Sequence, residues 1–273
     1  MTEEEYKTEW LKGLHQSSYN SMRFSNDRKT LSLKHLPYSV NIEKPENLRD
    51  YILKDMFDNP DPIKSEFADK IGVYSRVPNS ILIPKLYSKY TKSFDVEILA
   101  DLTKPLIVKC NHGSGWNIII TNDYDPTFVK NKIDNWLNLN YAYISPVYEQ
   151  QYETIKPGVL IQPLLIDKPL DWQLYYLNGK LEVIEISRKI NKSIVSILAC
   201  VDENGKKSKH IIGGEPIIDD LNSMMLKSLS EIRKTSDSYG KVFDFVRMDY
   251  FFIDKPYLCE FTFSPSGGML DIS

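Results

Sequence analysis

Cysteine and histidine are scarce in this chain, three of the first and four of the second in 273 residues. Cys110, Cys200 and Cys259 lie far apart among apolar neighbours, which argues against a disulfide framework and reads as buried thiols of a reducing compartment. His15, His35, His112 and His210 have no spacing that would assemble a zinc site. Neither sign of charge dominates, with 34 basic and 37 acidic side chains and a net charge of -3. No compact basic and aromatic stripe is present, so nothing favours a nucleic-acid partner. No apolar run is long enough to span a bilayer, and the polar, acidic start MTEEEYKTEW is unlike a secretory signal, so a cytoplasmic location is expected. A G-x-S-x-G elbow is absent, as is the Gly-Lys-Ser/Thr ending of a P-loop.

What is present is enough apolar residue, 42% of the chain, for a substantial core shared by two or three associated subdomains. Residues 3 to 20 read as a helix with Tyr6, Trp10 and Leu14 on one face. PENLRDYILKDMF reads as a second helix, stopped by Asn59 to Pro62. A third is expected over residues 65 to 77, with Lys70 near its middle. LIVKC, GVLIQPLLI, DWQLYYLNG, KLEVIEISR and SIVSILACV read as strands, and Asn178-Gly179 marks a tight hairpin. DPTFVKNKIDNWLNLN is an amphipathic helix with Phe128, Ile133, Trp136 and Leu137 on its apolar side. Residues 219 to 240 are a long helix opened by an Asp cap. Helices mixed with strands, and hairpins in the last half, give an α+β class without internal repeats.

Two segments carry chemistry. Lys109 closes an apolar strand and is followed by NHGSG, where Gly113 and Gly115 allow backbone amides to turn toward an anion. A phosphate loop and an ordinary surface turn both fit this spacing. In FDFVRMDYFFIDKPYLCEFTF, a turn at Asp254-Lys255 sets Asp249 opposite Glu260 and Phe251 opposite Leu258. Opposed carboxylates normally destabilise a strand pair, and a cation between them reverses the sign; magnesium favours such oxygen ligands together with phosphate. Arg247 shares the strand face of Asp249, serving either a phosphate or a structural ion pair. Arg188 carries the same ambiguity at the end of EVIEISR. Thr262 shares the face of Glu260, and Ser264, Ser266, Gly267 and Gly268 follow in a flexible exit.

In order along residues 60 to 270, FADK, IVKCNHGSG, NWLNLNY, YETIKPGVLIQPLL, LNGK, FDFVRMDYFF and CEFTFSPSGG resemble the TupA-like ATP-grasp family. The resemblance implies an ATP-grasp fold, in which two α+β subdomains enclose ATP behind a short helical N-terminal region. It divides the chain into that region (1 to 66), a lid subdomain (67 to 160) and a catalytic subdomain with a magnesium-binding hairpin (161 to 273). It implies ATP and Mg2+ as cofactors, and the ATP-dependent joining of a small-molecule carboxylate to an amine, one of them carried on a bacterial capsule or other cell-surface polysaccharide precursor. It places the protein in the cytoplasm, at the inner face of the membrane beside polysaccharide-assembly enzymes.

Residue by residue, the resemblance makes Lys70 and Lys109 phosphate contacts, Asn111, His112, Gly113, Ser114 and Gly115 the lid loop, and Gln162, Pro163, Leu164 and Leu165 the adenine-reading connector. Asp249, Glu260 and Thr262 become the metal ligands, with Arg188 and Arg247 as electrostatic partners of the phosphate. Two positions depart from the family pattern: Gln162 stands where relatives carry glutamate, and Gln173 where they carry lysine. Both remove charge from the nucleotide cleft. A kinase that stops at a phosphorylated product, and an ATP-binding component without turnover, are the alternative readings.

Overall fold

The computed structural model describes residues 19–272 apart from 37, 92, 145–146, 166–169, 190–194, 254 and 271. Two antiparallel sheets organise the chain. The first has the order β1-β4-β2-β3, built from β1 (Ser88–Thr91), β2 (Leu106–Cys110), β3 (Asn117–Ile120) and β4 (Gly158–Pro163). The second has the order β7-β6-β5-β8-β9, built from β5 (Leu170–Leu177), β6 (Lys180–Lys189), β7 (Val195–Val201), β8 (Phe245–Phe252) and β9 (Pro256–Thr262). Among the described residues the helices include α1 (Arg28–Leu33), α2 (Leu48–Asp58), α3 (Pro62–Ala68), α4 (Val73–Arg76), α5 (Pro126–Leu137) and α6 (Ser223–Gly240). The expected α+β class is observed. Among the described residues, no helix is long and apolar enough to cross a membrane.

Period-two alternation decides what the second sheet does with its two faces. Val246, Met248 and Tyr250 of β8 join Trp172, Leu174, Ile184 and Ile186 in the core that Met225, Leu229 and Ile232 of α6 also enter. Intervening residues face the other way. Phe245, Tyr175 and Val183 pack there against Leu48, Ile52 and Leu53 of α2, and beyond them the same face carries Arg247 and Asp249. The smaller sheet has its own core, in which Val108, Cys110 and Ile161 meet Val129, Ile133 and Trp136 of α5. Each large side chain in these cores contributes on the order of 1.5–3 kcal/mol by leaving water.

Several expectations change on folding. The helix expected over 65–77 is broken: α3 ends at Ala68, Asp69 accepts from the Ile71 amide at 2.9 Å, and Lys70 sits in the turn before α4. Asn222, rather than an aspartate, caps α6 through the Met225 amide at 3.0 Å; Asp219 and Asp220 are instead paired with Lys207 and Lys206. In α5 the buried face is Val129, Ile133 and Trp136, and Phe128 is 56% exposed. The helix expected over 3–20, with Tyr6, Trp10 and Leu14, lies almost wholly outside the described residues. The Asn178-Gly179 hairpin forms as expected, with both residues at positive φ, 50° and 78°.

The C-terminal hairpin keeps its key pair by a different route. Phe252 pairs with Pro256 across a longer turn, so Phe251 opposes Tyr257 and not Leu258, and Tyr250 opposes Leu258. A β-bulge then adds Cys259 to β9 and restores Asp249 opposite Glu260 and Arg247 opposite Thr262. Without that extra residue Glu260 would face the α6 core. The bulge turns it onto the face of Asp249.

The turn bearing Lys70 is anchored through a buried ion pair. Lys64 of α3 donates to both carboxylate oxygens of Asp55 in α2 at 2.8 Å and to the Asn59 carbonyl at 2.8 Å. Lys64→Met leaves a buried carboxylate without its counter-charge, so urea unfolding is expected to show a loss of about 3–5 kcal/mol. The double variant Asp55→Leu/Lys64→Met should recover most of it.

Candidate functional site

The site grows from the Asp249/Glu260 cross-strand pair. Arg247, two residues before Asp249 on one strand face, grips it with two parallel bonds, Nε to Oδ1 at 2.7 Å and a terminal nitrogen to Oδ2 at 2.6 Å. The same nitrogen lies 3.4 Å from Thr262 Oγ1, which donates to Glu260 Oε1 at 3.3 Å. From the turn before α4, Lys70 Nζ approaches Glu260 Oε2 at 3.3 Å and donates to the Gly113 carbonyl at 2.8 Å. Lys70 thus joins the hairpin to the glycine loop. Lys109 enters from β2 of the other sheet, within electrostatic reach of Glu260, Cys259 and Lys70.

Charge is distributed unevenly over this cluster. Burial alone would raise Glu260, but Lys70, Arg247 and Lys109 outweigh it and hold the carboxyl at about 2. Asp249 is pushed up by burial against the pull of Arg247, with Glu260 adding to the rise. Two neighbouring acids with separated affinities for a proton are a frequent mark of a functional cleft. Burial lowers the Lys109 pKa, partly opposed by Cys259 and Glu260. The Lys109 side chain makes no hydrogen bond or ion pair among the described residues, so burial makes its charge costly.

The other expected residues divide into two groups. Gln173 joins the cluster: it pairs with Asp249 across β5 and β8, donates to Asp171 at 3.3 Å and accepts from Tyr175 at 3.2 Å. Gln162 lies one residue before the end of β4, donates to the Tyr74 hydroxyl at 2.5 Å, and keeps a buried carbonyl oxygen without a partner. Pro163 closes that strand and the Leu164 amide bonds to the Pro105 carbonyl at 3.1 Å, with Leu165 beyond it. In the loop, Ser114 and Gly115 are exposed, and Gly115 holds φ at 68°.

Asn111 and His112 depart from the expectation of an open loop. Both are buried; Asn111 donates to Asp69 and to the Lys156 carbonyl at 2.8 and 3.0 Å, and His112 Nε2 meets the Trp136 carbonyl at 3.1 Å. They brace the loop from behind. Gly113 belongs with them, because a Cβ there would meet Tyr141 and Trp116 at 2.7 and 2.8 Å. Arg188 is not brought to the cluster. Alternation along β6 puts it with Ile184 and Ile186, opposite the face of Glu185, and its side chain is exposed.

Sequence reasoning missed Asp171, Tyr175, Glu185 and Glu149, all near the cluster. Glu149 is 4% exposed and sits among tyrosines in VYEQQY, where no helix or strand period drew attention to it. An acid inside an aromatic, aperiodic stretch is the signal that was available.

Asp249, Glu260 and Thr262 form an all-oxygen donor set, which suits a hard divalent cation. Among the described residues no three His, Cys, Asp or Glu side chains converge as a metal cage. Protein and a polyanionic ligand would therefore have to share the coordination shell, a mode that fits Mg2+.

A family model described as TupA-like ATPgrasp matches residues 46–273. No curated protein sequence matches the chain. Among solved structures, it is similar to D-alanine–D-alanine ligase from Bacillus anthracis, with 16% identity and a TM-score of 0.44 over 72% of this chain and 57% of that one. L-amino acid ligase from Bacillus licheniformis is similar with 10% identity and a TM-score of 0.42, over 82% of this chain and 46% of that one. The chain spans about half the length of these two solved ligases.

Replacing Lys109 tests the reading of a cation held in reserve. Lys109→Met is expected to stabilise the ligand-free protein by about 0.5–2 kcal/mol in urea near neutral pH, because it removes a buried charge that has no direct partner. Because the folded pKa is lowered, the unfolded state binds more protons than the folded state between that value and the ordinary 10.5, so this residue's contribution to wild-type stability rises with pH across the window. The advantage of the variant should shrink accordingly. A variant less stable than wild type at pH 7 would contradict it.

Proposed function

This chain belongs to the TupA-like ATP-grasp family, and from that membership and its cation–carboxylate cluster we propose that it is an ATP-dependent carboxylate–amine ligase working through an acyl phosphate. The observation that carries the reading is the convergence of three cations, Lys70, Lys109 and Arg247, on Asp249 and Glu260 from both sheets. In this reading residues 67–160 form the lid subdomain and 161–273 the catalytic one. Residues 1–66 are the N-terminal region that precedes them in this division.

Lys70 and Lys109 hold the terminal phosphates of ATP, with exposed amides of the loop at Ser114 and Gly115. The connector Gln162 to Leu165 reads adenine largely through its backbone, and the unpartnered Gln162 carbonyl oxygen offers one acceptor there. Asp249, Glu260 and Thr262 hold Mg2+, which when bound neutralises charge gathering on the phosphoryl oxygens. A substrate carboxylate attacks the terminal phosphoryl group and ADP leaves. Fixed cations lower the barrier because their orientation is set before the reaction. Arg247 lies where the acyl phosphate oxygens would gather. The bound amine then attacks the acyl carbon, the C–N bond forms, and phosphate departs with the C–O bonding pair. Closure of the loop over the site would limit hydrolysis of that intermediate.

We place the substrates with the family setting: a small carboxylate and an amine, one carried on a cell-surface polysaccharide or its precursor, met in the cytoplasm at the inner face of the membrane. Gln162 and Gln173 leave the cleft with less charge than the family pattern, which favours a specialised substrate.

Purified protein with Mg2+, ATP and a carboxylate panel is expected to release ADP and, with hydroxylamine present, to accumulate a hydroxamate. Lys109→Met and Asp249→Asn should each lose on the order of 2–4 kcal/mol of transition-state stabilisation, read as kcat/KM, whereas Lys130→Met on exposed α5 should not. Undiminished turnover in both site variants rejects the assignment. A stable phosphorylated product by mass spectrometry points to a kinase, and nucleotide binding without turnover to a binding component.

A further inference from the structure

Beside the cation cluster lies a cavity of about 250 Å³ lined by Ser114, Tyr152, Glu149, Arg247, Glu260 and Ser264, among others. One wall reaches Arg247 and Glu260, where the acyl phosphate would form. Glu149 comes from the aromatic segment between α5 and β4, and its place is fixed by its backbone N–H, which donates a hydrogen bond to the Ala142 carbonyl at 3.2 Å, and by the Ser264 hydroxyl, which donates to Oε2. Gln151 in turn donates to Ser264. Among the described residues Glu149 forms no salt bridge, although Glu260, the other acid lining the cavity, is paired with Lys70. Lys70 reaches Glu149 only through its field, and a carboxylate taken out of water without a paired counter-ion is costly. Glutamine would satisfy Ser264 and Gln151 as well, without that cost.

Resting on the ligase reading, we propose that this cavity is the amine site, where Glu149 pairs with the substrate ammonium and takes the proton that must leave before nitrogen can attack. The balance is simple. Glu149 accepts one proton from R–NH3+; the freed lone pair forms the C–N bond; the C–O bond to phosphate breaks with its electron pair; and the second nitrogen proton goes to the departing phosphate. The acid on Glu149 then returns its proton to solvent.

The surroundings suit that exchange. Burial raises the Glu149 carboxyl to about 7, opposed by Ser264, Lys70 and Gln151, which is near the operating range of a general base. Besides the charged Lys70, Arg247 and Glu260, the region holds Tyr141 and Tyr152, which are raised by burial and by Glu149 itself. Both tyrosines stay neutral through the same range. Ser114 brings the glycine loop to the rim, so closure over the phosphate would also close over the amine.

The test titrates full-length protein, loaded with Mg2+ and ADP, with methylammonium, glycinamide, glycine and L-lysine at pH 8, using acetamide as the uncharged control. At least one amine is expected to saturate wild-type protein while acetamide does not, a comparison that needs no variant. Glu149→Gln should weaken that binding roughly tenfold to a hundredfold and Glu149→Asp by less, with ADP affinity reporting the folding of each. In turnover, Glu149→Gln should lower the ratio of amide to hydroxamate at least about tenfold, because hydroxylamine is uncharged at this pH and needs no proton acceptor. Equal amine binding in wild type and Glu149→Gln, or no preference of wild type for any amine over acetamide, overturns the assignment. Amine binding that depends on Glu149 without hydroxamate from wild type would instead retain the amine site and reject the ligase reaction.

Discussion

The constraint on which the site depends is the placement of two carboxylates directly across one strand pair. Asp249 and Glu260 repel each other, and the surroundings answer with cations from three unrelated places: the same strand, the turn between α3 and α4, and the facing sheet. Of the three, Lys109 is the cation whose side chain has no hydrogen bond or ion pair among the described residues, while the further acids Asp171 and Glu185 lie in the field of Arg247.

The backbone achieves this with one inserted residue. β9 must bury Leu258 and Phe261 in the α6 core while turning Glu260 and Thr262 to the opposite face. Strict alternation cannot do both, since 258 and 261 fall on different faces of a regular strand. The bulge at Cys259 resolves the conflict at the sheet edge, where bulges cost least pairing. The edge is then sealed by the Leu82 carbonyl, which accepts from the Leu258 amide at 2.8 Å. Fold stability and site geometry are served by the same irregularity.

That irregularity explains what was legible in the sequence. A two-residue turn predicted Asp249 opposite Glu260 correctly, but only because a longer turn and a bulge cancel; Phe251 and Tyr250 reveal the difference. Strands with strong β-branched or aromatic character and the Asn178-Gly179 turn were readable because local propensity and tertiary packing agree there. The helix over 65–77 was not, because Asp69 serves the Ile71 amide and Asn111 at once, and a bond across 42 residues has no local trace. Asn111 and His112 looked like loop residues for the same reason. Their partners, Lys156 and Trp136, are set by tertiary structure. Alternation left Arg188 ambiguous, since its strand face carries Glu182 as well as Ile184 and Ile186, and its exposed position away from the cluster is set by the fold.

The Arg247–Asp249 pair adds a last consequence. Both Asp249 oxygens already accept charged hydrogen bonds, so the ligand-free site is largely neutralised from within. On the ligase reading, a divalent cation and a polyphosphate do not fill an empty charge trap; they exchange partners with it. The cation shares Asp249 with Arg247 or replaces it, and the phosphate offers the guanidinium new acceptors. Each ligand thereby lowers the cost of admitting the other, because a cation alone would crowd Arg247 and an anion alone would face two carboxylates. The coupling follows from the local electrostatics of the hairpin and requires no rearrangement of the two sheets.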